Sequence, residues 1–168
     1  MIKESHKVLH ESKRAIFALH RKEFDQAKEK IEQVEHSLND LQSKFGFSRV
    51  NEEGSYKAAA EEYVEAKFLY KLLNNKEVSE VKEVQLRFDS YLAGLCDVPG
   101  ELVREATNEA AAGNTGKVTE TKEIISNIME ELSQFDMTGY LRTKFDQAQS
   151  ALRKIEQINY EVKIRKSE

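Results

Sequence analysis

Three features of this 168-residue chain predict an all-α fold. One proline and seven glycines leave few helix breakers, and Glu, Lys, Ala and Leu are abundant. Hydrophobic residues make up 39% of the chain against 33% charged, a balance that suits helices with one apolar face. Apolar side chains recur in alternating steps of three and four: Phe24, Ala27, Ile31, Val34, Leu38, Leu41 and Phe45. The expected architecture is an elongated antiparallel helical bundle, one domain over residues 1–168.

Residues 2–45 read as one long helix, with Leu9, Ile16 and Leu19 prolonging the stripe and Ser12 between them. At about 1.5 Å per residue this helix would span ~65 Å, against a radius of gyration of ~15 Å for a compact domain. Such a helix overhangs a compact monomer, so either the molecule is rod-like or another subunit covers part of the seam. Gly46 ends it, and Phe47 to Gly54 reads as a loop. A second helix covers residues 55–74 and stops at Asn74-Asn75. A third segment runs from near Glu77 to Ala112 with Pro99 inside it, where the missing N–H predicts a kink or a break. Gly113-Asn114-Thr115-Gly116 is a turn, and a helix over 117–135 follows with Val118, Ile125, Ile128, Leu132 and Phe135. After the turn from Asp136 to Gly139, the last helix, 140–165, carries Leu141, Phe145, Ala148, Leu152 and Ile155.

No stretch approaches ~18 apolar residues, so no membrane span or membrane partner is expected. The start, from Met1 to His6, lacks the apolar core of a signal peptide. A single cysteine, Cys96, leaves no internal disulfide framework, and the expected location is the reducing cytoplasm. The net charge of -4 hides an asymmetry. Residues 1–30 are net +3, residues 151–168 net +2, and the middle net -9. Basic ends around an acidic centre are compatible with nucleic-acid contact beside a metal site, and equally with ordinary charged helix surfaces.

Two acidic stretches stand out, Glu61-Glu62-Tyr63-Val64-Glu65-Ala66 and Asp97-Val98-Pro99-Gly100-Glu101-Leu102. On the second helix, steps of three and four through Ala58, Glu62, Glu65, Leu69 and Leu72 put two glutamates where a seam wants apolar side chains. The opposite face carries Val64 and Phe68, so the pattern leaves open which face points inward. Asp97 and Glu101 share a face with Ser90, Gly94 and Asn108, small or polar residues that admit a close neighbour. Val98, Leu102 and Ala106 form the adjoining apolar stripe, which puts the acids at the edge of the packed face. These acids can be solvated charge paired with Lys57, Lys67 or Lys71, with Asp97 an N-cap before Pro99. They can also be hard oxygen ligands for Mg²⁺ or Mn²⁺ at a phosphodiester. A di-iron bundle needs Glu-x-x-His pairs, which none of these glutamates forms.

Other constellations are weaker. His6, His10 and Glu11 lie near the N-terminus without an HExxH pattern. Gly113 to Val118 is too short for a phosphate loop, and Cys96 beside Asp97 reads as a packed residue. The basic residues Lys13, Arg14, His20, Arg21 and Lys22 can position phosphates, although a charged helix face explains them too.

Four pieces in order resemble the translin/Trax family over most of the chain. They are His10-Glu11-Ser12-Lys13-Arg14-Ala15-Ile16-Phe17-Ala18-Leu19-His20-Arg21, Glu62-Tyr63-Val64-Glu65-Ala66, the run Tyr91 to Arg104 with Asn108, and the run Lys154 to Arg165. The resemblance implies an all-helical chain that assembles into a hollow homo-oligomer, often an octamer, binding single-stranded RNA or DNA inside. Trax-type subunits are Mg²⁺-dependent endoribonucleases, and their catalytic, metal-binding acids match Glu62, Glu65, Asp97 and Glu101 here. Translin-type subunits mainly bind and scaffold. Lys13, Arg14, Arg21 and Lys22 are the expected nucleic-acid contacts. The short loop near 74–82, the early ends and Lys166 in place of the family's usual Gly depart from the pattern and suggest a compact, archaeal-type, self-assembling member.

Overall fold

The computed structural model describes residues 1–165, so Lys166 lies outside the described residues. Among them the chain forms seven helices and no strand. The helix expected over 2–45 is two helices, α1 (Ile2–His20) and α2 (Phe24–Phe45). Between them Lys22 takes the left-handed φ of 61°. Glu23 N donates to Ala18 O at 3.0 Å and Lys22 N to Leu19 O at 2.9 Å. These two bonds satisfy the last carbonyls of α1 and reverse the chain, a role usually filled by glycine. Lysine in that place hides the signal from a sequence reading. The seam is therefore satisfied within the chain: α1 packs against α2 and α4, and α2 packs against α4.

On α2, Ala27, Ile31, Val34, Leu38 and Leu41 are buried as the heptad steps require. On α1 the buried stripe runs through Val8 rather than Leu9, then Ser12, Ala15, Ile16, Ala18 and Leu19. Ser12 fits among apolar neighbours because its Oγ donates to Val8 O at 3.1 Å. The expected loop after Gly46 contains a short helix, α3 (Phe47–Val50). The next helix, α4 (Gly54–Leu73), is close to expectation.

The third segment starts later than the sequence suggests. Residues 74–87 are non-helical, and α5 spans Phe88–Ala111. Val78, Val81 and Val84 imitate a helical stripe, but β-branched residues are indifferent helix formers. Asn75, at φ 50°, turns the chain away from α4. Val81 and Val84 are buried, and side-chain amides hold the strap down. Asn39 donates to Glu83 O at 2.9 Å and Gln42 to Gln85 O at 2.7 Å.

Helix α5 runs through Pro99 without a break. The chain forms two compact units, Met1–Leu95 and Cys96–Glu168, and their boundary falls inside α5. In the second unit α6 (Gly116–Leu132) packs on α7 (Gly139–Arg165). Val118, Ile125, Met129 and Leu132 are the buried residues of α6, and Phe145, Ala148, Ile155 and Asn159 those of α7. Phe135, expected on α6, lies beyond its end and is exposed. No helix is long and apolar enough to cross a membrane among the described residues.

Candidate active site

The first acid pair sits on α4, which is buried on most of its circumference. Tyr63, Val64, Ala66, Phe68 and Leu69 are all buried, so neither of the two candidate faces is simply outward. Glu65 lies within that ring at 6% exposure. A carboxylate at that depth requires charged or hydrogen-bonding company. Glu62, one turn earlier, is half-buried and stands 3.6 Å from Lys13 Nζ on α1. Lys13, expected at nucleic acid, thus reaches the acid pair itself.

Gly94 fixes how closely the first turns of α5 approach this stretch. A Cβ there would stand 2.5 Å from the Glu61 carbonyl oxygen and 2.6 Å from Val64 Cβ. The small residue read from the sequence therefore admits the backbone of α4.

The second pair belongs to the other unit. Asp97 Oδ2 accepts a hydrogen bond from Lys144 Nζ of α7 at 2.5 Å. Burial pushes the Asp97 carboxyl above its ordinary range, the Lys144 ammonium pulls it down, and Glu101 one turn on pushes it up again. Burial disfavours the Lys144 charge, but Asp97 outweighs burial and keeps the ammonium protonated. Glu101 is half-buried and 3.6 Å from Arg104 Nη1. Val98, Leu102 and Ala106 are buried beside them, so the acids do edge the packed stripe. Burial first, and Asp97 second, push the Cys96 thiol up to about 11, which suits a packed residue and not a nucleophile.

All four acids offer carboxylate oxygens, the hard donors that Mg²⁺ and Mn²⁺ prefer. Asp97 and Glu101 repel each other across one turn, a strain that a divalent cation relieves, so this donor set fits such an ion. Among the described residues, no group of three or more His, Cys, Asp and Glu side chains is gathered to hold a metal. The acids stand as two pairs, one in each unit.

The other expected contacts are more ordinary. Arg14 pairs with Glu11, and Arg21 with Glu23 at 2.8 Å. Lys22 forms the turn, and His6 and His10 are exposed. A network that the sequence does not announce supports α4 instead. Lys67 pairs with Glu35 of α2 and lies 2.9 Å from Glu83 of the strap, while Tyr63 OH donates to Glu35 at 3.0 Å. These partners are far apart in the chain, and no local spacing joins them. Lys144 escapes a sequence reading for the same reason.

The family profile described as Translin matches residues 1–166. The chain belongs to the Translin family. This Translin-family chain is 28% identical over 134 residues to an uncharacterized protein of Methanocaldococcus jannaschii, a match covering 77% of the chain and 60% of that relative's length. Its fold is that of apo-NeC3PO, with a TM-score of 0.81 at 21% identity, covering 95% of this chain and 86% of that one. It is also similar to AfC3PO in a complex with duplex RNA, with a TM-score of 0.85 at 19% identity over 97% and 87% of the two chains. AfC3PO itself gives 0.81 at 20% identity over 99% and 92%. The all-α Translin fold expected from the sequence is the fold observed.

Proposed function

We propose that this Translin-family chain is a Mg²⁺-dependent endoribonuclease that binds and cleaves single-stranded RNA within a homo-oligomeric shell in the cytoplasm. The observation that carries the reading is the pair Asp97 and Glu101, half-buried and mutually repelling on α5 with a lysine donated to one of them. The family's catalytic positions add Glu62 and Glu65. The structure of AfC3PO with duplex RNA supports RNA as the ligand class.

Mg²⁺ bound at these acids would neutralise charge on the phosphodiester and supply an acidified water. The chain's own side chains do the rest. Asp97 and Glu65 hold oxygens in place at sheltered positions, where charge interactions are stronger than in water. Lys144 keeps Asp97 oriented and favours its charged form against burial. Lys13, 3.6 Å from Glu62, holds that carboxylate in place more loosely. Products with 3′-hydroxyl and 5′-phosphate ends are expected.

A second reading makes the chain a non-catalytic binder of single-stranded RNA or DNA. It is favoured by the ion pairs themselves, since Asp97–Lys144 and Glu62–Lys13 can be structural contacts. One assay separates the two. Labelled single-stranded RNA is incubated with the chain in Mg²⁺ and in EDTA, alongside Glu65→Ala and Asp97→Ala. The nuclease reading expects cleavage only with Mg²⁺, lowered by at least ~100-fold in each variant, with RNA binding retained. Full cleavage in EDTA, or in both variants, would sink it.

A further inference from the structure

In the second unit, α5 and α7 enclose a groove of about 400 Å³ immediately beyond the Asp97–Glu101 pair. Its lining includes small or apolar residues, Gly100 and Val103 on α5 and Ala151 on α7. Its rim is polar: Arg104 and Asn108 on one side, Ser150 and Lys154 on the other. Arg153 donates to Ser150 Oγ at 2.9 Å and brings a third cation to that edge. None of the described residues lining the groove is acidic, although the chain carries a net charge of -4. Arg104 links the two features, with its guanidinium 3.6 Å from Glu101 and its side chain 50% exposed.

The geometry points to this groove as a phosphate-binding track that seats the backbone of a single RNA strand next to the acid pair. An exposed Arg–Glu pair is worth little, and a guanidinium has five N–H donors. Arg104, half-exposed beside Glu101, therefore presents its charge to a phosphate oxygen in the groove. Asn108 adds a neutral donor, and Lys154 supplies a point charge from the opposite wall, while the Ser150 hydroxyl donates to Asp146 O at 3.0 Å and anchors Arg153 beside it. From Arg104 to Asn108 the rim follows ~6 Å of helix, which suits one phosphodiester. The groove is open and its donors are exposed, as expected for a polyelectrolyte that displaces counterions. The inference rests on the RNA-binding reading above but not on catalysis.

The test uses the full chain with Arg104→Gln and Lys154→Gln combined, and Arg142→Gln on the same helix α7 as a control. Affinity for a single-stranded RNA oligonucleotide is measured in EDTA across a salt series, with mass in solution followed in parallel. The double variant is expected to bind roughly tenfold more weakly, with the salt slope reduced by about 0.7 for each phosphate no longer neutralised, while the control stays near wild type. Unchanged affinity and slope, or an equal loss in the control, overturns the track. Loss of binding together with a changed mass overturns it as well, because the groove would then join copies of the chain. A wild-type chain that cleaves RNA while the double variant binds normally removes the track alone. A wild-type chain that binds but does not cleave, with binding lost in the double variant, removes the nuclease reading and leaves the track. A wild-type chain with no RNA affinity removes both.

Discussion

Lys22 turns the N-terminal half back on itself although nothing in its chemistry favours the conformation. A non-glycine residue in the left-handed region costs about 1–2 kcal/mol, a cost smaller than the gain from packing α1 against α2 and α4. Lys22→Gly should therefore raise stability by about 0.5–1 kcal/mol, since glycine removes the strain but adds unfolded-state entropy. The check is a higher urea midpoint at an unchanged slope, and a lower midpoint would contradict the strain argument. The same scale separates the legible from the hidden at the site. Asp97 and Glu101 can be paired from their spacing because a helix puts i and i+4 on one face. Lys144 cannot be paired with Asp97 that way, because they are 47 residues apart and only tertiary packing joins them. Glu65 stands out because it interrupts an apolar seam, and it is indeed buried. Arg14 and Arg21 resemble phosphate ligands by charge alone, and each has a neighbouring acid to pair with.

At the level of elements, α4 is positioned from two sides. Lys67, Glu35 and Glu83 tie it to α2 and the strap, and Gly94 lets the start of α5 rest on its backbone. Gly94→Ala would drive a Cβ into the Glu61 carbonyl and Val64, and backbone cannot swing aside as a flexible side chain can. The variant should lose about 1–3 kcal/mol of stability, read by thermal or urea unfolding; stability equal to wild type would mean that α4 and α5 part without cost. The strap shows where periodicity misleads. Val78, Val81 and Val84 have helical spacing, yet their stretch is held by side-chain amides from α2. At Pro99 the break, one of the two outcomes expected of it, does not occur. The proline lacks the N–H that would bond Leu95 O, the last residue of the first unit, and still α5 continues through it.

For the whole molecule, the family match runs almost end to end, over residues 1–166, and the fold likeness covers nearly all of the chain. The oligomeric shell belongs to the proposed function and has its own test. Native mass measurement should show a uniform assembly of several copies, whereas a uniform monomer would remove the shell and with it any enclosed cleavage. The seam on α2 lends that shell no support, because α1 and α4 of the same chain cover it. By itself the sequence determined the all-α class, most helix positions, the heptad burial on α2 and the two acid pairs. Each of these depends on contacts within a few turns, where spacing alone decides which side chains share a face. Only the tertiary structure decided the reversal at Lys22, the non-helical strap, the lysines that hold the acids and the basic groove beyond Glu101. The strap, the lysines and the groove arise between residues distant in the chain, and the local turn at Lys22 is kept by the packing of α1 on α2 and α4, so close packing and charge pairing outweigh local preference.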